Sequence, residues 1–186
     1  MSQGRPHQGV EPDPRLSEAP WLTAPETQRV LIASGEERFV IERMESSSFA
    51  ARAVEIDLEP GAAMTRVVIQ SGAGQELSMA RVRLAEGARY RQFILAEGGK
   101  LVRIETHVDV VGEGVEVELN GAYLCAGGRH ADLTSVITHR AARAQTRQLV
   151  KGVARKGGRG VFQGKIVVER AAQKTDARQH HQALML

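Results

Sequence analysis

Three polar residues near the middle of the chain have side chains that could bind a metal ion. His130 and Asp132 are two residues apart, so in a β-strand both would lie on one face. His139 follows seven residues later and could meet them from the next rung of a stacked fold. A metal site needs three or four convergent ligands. The group therefore predicts either a metal site or a ladder of surface polar residues.

The single cysteine, Cys125, is the fourth candidate. A thiolate is a soft ligand that could bind iron or relay sulfur. A lone cysteine is also commonly a small buried hydrophobic residue. One cysteine excludes an internal disulfide bond, which fits a reducing compartment, and we expect a cytoplasmic protein. None of the four candidates is a firm metal ligand, and no catalytic residue emerges.

A basic stretch covers residues 129–159, with eight lysines and arginines against one acid, Asp132. Such a stretch predicts a solvated edge, an acidic protein partner, or a nucleic-acid-binding module. The stretch has no aromatic residue on which the bases of a single strand could stack, so nucleic acid is not the favoured partner. The chain also has no phosphate-binding loop, which excludes a nucleotide hydrolase of that type.

The elements that must position these residues are short strands separated by glycine turns. Val54, Ile56 and Leu58 alternate with acidic residues, and similar alternation recurs along the chain about every dozen residues. This pattern predicts an all-β fold, which could be a sandwich, a barrel or a β-solenoid. The echo of LAEGA (84–88) in LAEGG (95–99) favours a solenoid, whose turns repeat. No apolar run is long enough for a membrane span, so no membrane partner is expected.

The chain divides into two parts. Residues 1–28 hold five of the six prolines and are predicted to be a disordered or extended lead-in. Residues 29–186 are predicted to form one β-rich core. Within that core, 138–150 is rich in good helix formers, so propensity alone indicates a helix.

Three blocks of the sequence resemble a known family. They are GVFQGKIVV (160–168) with AAQKTDARQ (171–179), and the segments 98–124 and 127–153. In this order they resemble the core domain shared by SufB and SufD, the iron–sulfur cluster assembly proteins, and they are more similar to SufD. The resemblance implies a right-handed parallel β-helix (β-solenoid) core over 29–186, and strand and turn rather than helix at 138–150.

The resemblance also implies a function. It predicts a non-enzymatic scaffold subunit, a SufD-like component of a SufBCD-type complex. No firmly bound cofactor is expected, and a transient iron–sulfur cluster is expected only within the complex. The implied partner is a SufB-like subunit, paired through the β-helix edges, or a second copy of this chain.

The family pattern continues beyond the last block into a strand with a Cys-x-His-Gly motif and then into helices that bind the ATPase SufC. Because this chain stops at Leu186, we expect a core that is truncated at its C-terminal end. A SufC-like partner is expected only if those helices are present. The alternative from a different class is a β-rich, cupin-like metal-binding enzyme using His130, Asp132 and His139, although the chain has no His-x-His pair.

Overall fold

The computed structural model describes residues 25–186, and within this range it contains twelve β-strands and no helix. Of the predicted lead-in 1–28, residues 1–24 lie outside the described residues. The first strand begins two residues before the predicted core. The strands are β1 (Thr27–Ile32), β2 (Glu37–Met44), β3 (Phe49–Leu58), β4 (Ala63–Gln70), β5 (Gln75–Leu84), β6 (Arg89–Ala96), β7 (Leu101–Val110), β8 (Glu116–Cys125), β9 (His130–His139), β10 (Gln145–Ala154), β11 (Arg159–Val168) and β12 (Asp176–Met185).

The strands form two six-stranded parallel sheets. The odd-numbered strands pair in the order β1-β3-β5-β7-β9-β11, and we call this sheet A. The even-numbered strands pair in the order β12-β10-β8-β6-β4-β2 and form sheet B. Each rung therefore contributes one strand to each sheet, and six rungs stack into a parallel β-solenoid. The predicted all-β solenoid is confirmed. In the part of the chain that the structure describes, no helix is long and apolar enough to cross a membrane.

The alternation of apolar and polar residues along each strand decides which face packs inward. In β5, for example, Ala80, Val82 and Leu84 are buried, whereas Arg81 and Arg83 are exposed. Because side chains of a strand alternate between faces, every strand with this pattern supplies one apolar row to the space between the sheets. The buried apolar residues form two clusters, one on each side of the interior. The first surrounds Leu84 and Val117, and the second surrounds Val68 and Leu133.

The repeating unit is longer than the sequence echo indicated. Thr27 pairs with Ala53, 26 residues later, and Gln145 pairs with Asp176, 31 residues later. The two LAEG copies lie at opposite corners of the solenoid, one ending β5 and the other ending β6. They are thus half a rung apart, and the interpretation of the echo as one turn per rung was wrong. Their shared feature is local, since Gly87 and Gly98 both have positive φ, which favours glycine.

Residues 138–150 form no helix. β9 ends at His139, a short turn follows, and β10 begins at Gln145, as the family resemblance predicted. Helix propensity is overridden because alternate residues of β10, Thr146, Gln148 and Val150, are buried between the sheets.

The sequence 160–179, which carries the resemblance most strongly, forms β11, a turn and the start of β12. Gly164 leaves room for the end of the Gln179 side chain, because a Cβ there would come within 2.2 Å of Gln179 Nε2. Gly152 and Gly160 have a similar purpose. A Cβ on either would fall 1.9 to 2.1 Å from ring atoms of Tyr123, so the two glycines provide the space for that ring.

Candidate functional site

The structure does not bring the three predicted metal ligands together. All three lie on β9, and His139 is at the opposite end of the strand from His130 and Asp132. Seven residues of strand separate Asp132 from His139 by about 23 Å, and the side chains point to opposite faces. The prediction that His139 lies on the next rung was therefore wrong. Among residues 25–186, no group of three or more His, Cys, Asp or Glu side chains is placed to hold a metal ion.

Asp132 belongs to a polar ladder on the outer face of sheet A. Its carboxylate accepts hydrogen bonds from Arg103 Nη1 at 3.0 Å and from Thr134 Oγ1 at 3.1 Å. Arg103 also contacts Glu105, whose pKa is lowered chiefly by a hydrogen bond with His107. Because its oxygens already have partners, Asp132 fits the ladder interpretation better than the metal interpretation. Nearby His130 has a buried Nε2 atom without a hydrogen-bond partner among the described residues.

His139 is fully buried between the sheets. Its Nε2 atom is 3.1 Å from the Thr146 hydroxyl, and its Nδ1 atom has no hydrogen-bond partner in the described part of the chain. Burial lowers the pKa of this imidazole, so the neutral form is favoured in the folded protein. The structure therefore assigns His139 to the core.

Cys125 ends β8 and is completely buried in the second apolar cluster. Burial raises the pKa of its thiol, which disfavours the nucleophilic thiolate. In this structure the side chain has the environment of a small hydrophobic core residue. Sulfur relay through Cys125 would first require exposure of the thiol.

A row of buried polar side chains, which the sequence analysis missed, separates the two apolar clusters. At its start, the buried Arg66 donates two hydrogen bonds to the Glu42 carboxylate, at 2.6 and 2.7 Å. Arg66 and Tyr90 both donate to Oε1 of Gln92 at 2.8 Å, and Gln92 Nε2 donates to Thr106 Oγ1 at 3.0 Å. Burial raises the pKa of Tyr90 to about 12. All of these groups are thereby hydrogen-bonded despite their burial.

The row continues toward the C-terminal rungs with neutral groups. Ser135 of sheet A and Gln148 of sheet B exchange hydrogen bonds of 2.8 and 3.1 Å. A cavity of about 20 Å³ lies between this pair and the Gln92–Thr106 pair, the size that one water molecule needs. The alternating pattern of each strand could have revealed this row. Arg66 and Gln92 occupy inward positions, and the residues two positions before and after each of them are buried and mainly apolar.

The fold divides the basic stretch 129–159 between two corners. At the corner that joins odd strands to even strands, Arg140 pairs with Asp109 and Glu169, and Arg143 pairs with Glu113. Arg147, at the start of β10, contacts Asp176, and this contact lowers the pKa of the carboxyl group. The remaining cations of the stretch are Arg129, Lys151, Arg155, Lys156 and Arg159, and none of them is in an ion pair within residues 25–186.

Both ends of the solenoid present strand edges. Within the described residues, β1 and β2 are the outermost strands at one end, and β11 and β12 are the outermost strands at the other. β12 is exposed along most of its length, and Leu184 and Met185 are among its exposed side chains. At the first end the interior opens in a cavity of about 540 Å³, lined in part by Val30 and Val40. These edges have the geometry needed to extend the sheets with a further strand.

Comparison with known proteins identifies the family. Residues 22–186 match the family described as SUF system FeS cluster assembly, SufBD core domain. The chain belongs to the SufBD core domain family. The family resemblance found in the sequence is thereby confirmed at the level of the SufB/SufD family.

Two curated proteins are similar to this family member. Protein ABCI7, chloroplastic, of Arabidopsis thaliana is 30% identical over 165 residues, which is 84% of this chain and 35% of that protein. The iron-sulfur cluster assembly SufBD family protein slr0076 of Synechocystis sp. is 31% identical over 134 residues, which is 71% of this chain and 30% of that protein. The chain thus spans about one third of the length of these relatives. No solved structure matches it.

Proposed function

We propose that this chain is a scaffold component of iron–sulfur cluster assembly and makes no catalytic contribution of its own. The observation that carries the proposal is the match of residues 22–186 to the SufBD core domain family. The Synechocystis relative, an iron-sulfur cluster assembly SufBD family protein, points the same way. The SufD-like identity is part of the proposal and rests on the resemblance of residues 160–179.

The interior of the solenoid supports a scaffold rather than an enzyme. Beyond the opening at the first end, the space between the sheets is occupied by two apolar clusters and the polar row that separates them. Two of the candidate site residues, Cys125 and His139, are fully buried, and burial shifts the pKa of each side chain so that its neutral form is favoured. A stiff stack of six rungs, by contrast, suits a part that holds other subunits in place.

The partner that we propose is a SufB-like subunit, which pairs with β11 and β12 through main-chain hydrogen bonds. β12 supports this choice because its side chains are exposed along most of its length. A second copy of this chain could bind the same edge. An iron–sulfur cluster would be the cargo of such a complex and would be held transiently.

The direct test is co-purification of this chain with SufB-like and SufC-like subunits from the same source. The chain and a version extended past Leu186 are tested side by side. We expect this chain to retain the SufB-like subunit and the extended form to retain both. Failure of both forms to bind either subunit would overturn the proposal.

Two proline variants sharpen the test of the β12 edge. Successive N–H groups in a strand point to opposite sides, so one of Gln182 and Ala183 donates toward β10 and the other toward the free edge. Proline removes one donor at each position. We expect one of Gln182→Pro and Ala183→Pro to remain folded by circular dichroism and to lose the SufB-like subunit. If the folded variant binds as well as the unaltered chain, pairing does not use this edge.

A further inference from the structure

Five cations form a ridge on the corner of the solenoid that joins even strands to odd strands. The turns 97–100, 126–129 and 155–158 stack there, with Gly127 N donating to Lys156 O at 3.2 Å and Gly128 N donating to Gly157 O at 2.7 Å. We call the ridge the basic corner, and its members are Lys100, Arg129, Arg155, Lys156 and Arg159. All five are exposed, and Glu97 is the one acidic residue in these three turns.

Four of the five cations, all except Arg129, make no side-chain hydrogen bond among the described residues, so they are not needed to build the basic corner. Neighbouring rungs are about 4.8 Å apart, so like charges on adjacent turns repel one another. The preceding turn, Ser71-Gly72-Ala73-Gly74, stacks in the same place without any charged residue. At the opposite corner, Arg140 and Arg143 form ion pairs with Asp109, Glu169 and Glu113, whereas in residues 25–186 no ion pair involves a member of the basic corner. Arg129 Nη1 donates a hydrogen bond to the Glu97 carbonyl oxygen at 3.3 Å, but the excess positive charge has no acidic partner within the described chain.

Exposed leucines flank the ridge on both sides. Leu101 directly follows Lys100 on the outer face of sheet A and is 37% exposed. Leu124 lies just before the middle turn on the outer face of sheet B and is 47% exposed. The basic corner is therefore amphipathic, with charged side chains along the turns and an apolar side chain on the adjoining outer face of each sheet.

This combination favours a protein segment over nucleic acid. The three turns contain no aromatic residue on which a base could stack. A peptide that carries both carboxylates and leucines can pair with the cations and pack against Leu101 and Leu124 at the same time.

We propose that the basic corner binds an acidic, leucine-containing segment of a partner protein. The proposal goes beyond the scaffold function, because the corner lies beside the sheets and leaves the strand edges free for another subunit. A partner held at the edge and a partner held at the corner could therefore bind at the same time.

The test uses fluorescence anisotropy with the whole chain. The probes are a set of labelled 12-residue peptides in which aspartates and glutamates alternate with leucines at different spacings, and a matched set with serine in place of leucine. We expect the leucine set to bind at least about tenfold more tightly than the serine set at 0.15 M salt. We expect affinity to fall as salt rises, because the contact is partly electrostatic.

Charge-reversal variants locate the contact. Arg129→Glu, Arg155→Glu and Lys156→Glu together should weaken binding of the leucine set at least about tenfold. The matched control reverses three exposed cations at the opposite corner, Arg89, Arg170 and Lys174, and so changes the net charge equally. It should leave binding within about twofold of the unaltered chain.

Four outcomes would overturn the proposal. Equal loss of binding in the two triple variants would mean that net charge, and not the corner, attracts the peptides. Equal binding of the leucine and serine sets, or no binding of either, would remove the amphipathic site. Tighter binding of a 20-base-pair DNA duplex than of every peptide would assign the corner to nucleic acid.

Discussion

The two ends of the buried polar row are held together by different chemistry. Toward the first rungs, the row is ionic, with the Arg66 guanidinium fixed by the Glu42 carboxylate and by Gln92. Toward the last rungs it is neutral, with Ser135 bonded to Gln148. Close by, Tyr123 reaches across Gly152 to place its hydroxyl 3.1 Å from Nε2 of His181.

The difference shows two ways in which a solenoid can accommodate a buried polar side chain. A buried charge demands specific partners, because an uncompensated ion in the interior is very costly. A neutral side chain demands mainly room. For Tyr123, the absence of side chains at Gly152 and Gly160 provides that room. We therefore expect the first end to be sensitive to loss of a partner and the second end to be sensitive to loss of space.

The largest effect is expected from Arg66→Ala. The substitution leaves Glu42 and Gln92 without their buried partner and should lower the free energy of unfolding by about 3–5 kcal/mol. Urea denaturation followed by circular dichroism measures the change. The control is Arg29→Ala, which breaks the exposed ion pair with Glu55 and should cost less than about 1 kcal/mol. Similar losses for the two variants would contradict the ionic description of the first end.

Gly152→Ala should have the next largest effect. Its Cβ would collide with the Tyr123 ring, so we expect a loss of about 1–3 kcal/mol in the free energy of unfolding. Gly121 is the matched control, because it pairs in register with Val150 and a Cβ there would meet its nearest neighbour at 3.5 Å, an ordinary contact. If Gly121→Ala destabilises the protein as much as Gly152→Ala, space is not the limiting factor at the second end.

Acid should weaken the second end through His139. Burial lowers the pKa of this imidazole below its unfolded value of 6.5, so the unfolded chain takes up the proton first. The contribution of neutral His139 to stability is therefore complete above about pH 6.5 and is lost as the pH falls through the lower pKa of the folded state. We expect the free energy of unfolding to drop between pH 7.5 and 5.5.

His139→Gln isolates this contribution, because glutamine keeps a polar group near Thr146 and does not titrate in this range. The drop in stability between the two pH values should be smaller in the variant than in the unaltered chain. The remaining drop includes His181, whose pKa is also lowered by burial. An unchanged pH dependence would show that His139 does not titrate between folded and unfolded states.

The smallest effect is expected at the surface. Arg143→Ala removes the exposed ion pair with Glu113 at the corner opposite the basic corner. Solvent screens such pairs, so the free energy of unfolding should change by no more than about 0.5 kcal/mol. Thermal unfolding at low and high salt measures the change. A loss as large as that of Arg66→Ala would mean that burial does not decide how much an ion pair contributes to the free energy of unfolding.

The strands, the solenoid and the family were predictable from the sequence, and the details of the interior were not. Alternation and glycine turns predicted an all-β fold, and the blocks ending at residue 179 predicted the solenoid. The place of Arg66 was missed because charged residues are normally assigned outward, and its partner Glu42 is 24 residues away in sequence. β2 shows the same limit, since Phe39 and Ile41 are more than half exposed while Glu42 points inward toward Arg66.

The candidate metal site could not be judged from spacing alone. His130, Asp132 and His139 have suitable chemistry, but a seven-residue interval places two side chains on opposite faces of a strand unless a turn intervenes. The turn in fact follows His139. A similar limit applies to the basic stretch 129–159, which is continuous in sequence and is divided by the length of β10 between two corners.

The parallel register of the rungs has a consequence for synthesis of the protein. Because each strand pairs with one that was made 26 to 31 residues earlier, a rung has a partner to stack on as soon as that short length of chain is available. Stacked repeats contact mainly their neighbours, and such arrays can propagate order from one repeat to the next. The solenoid can therefore grow in the direction of translation, with the rungs made first serving as the template for those that leave the ribosome later.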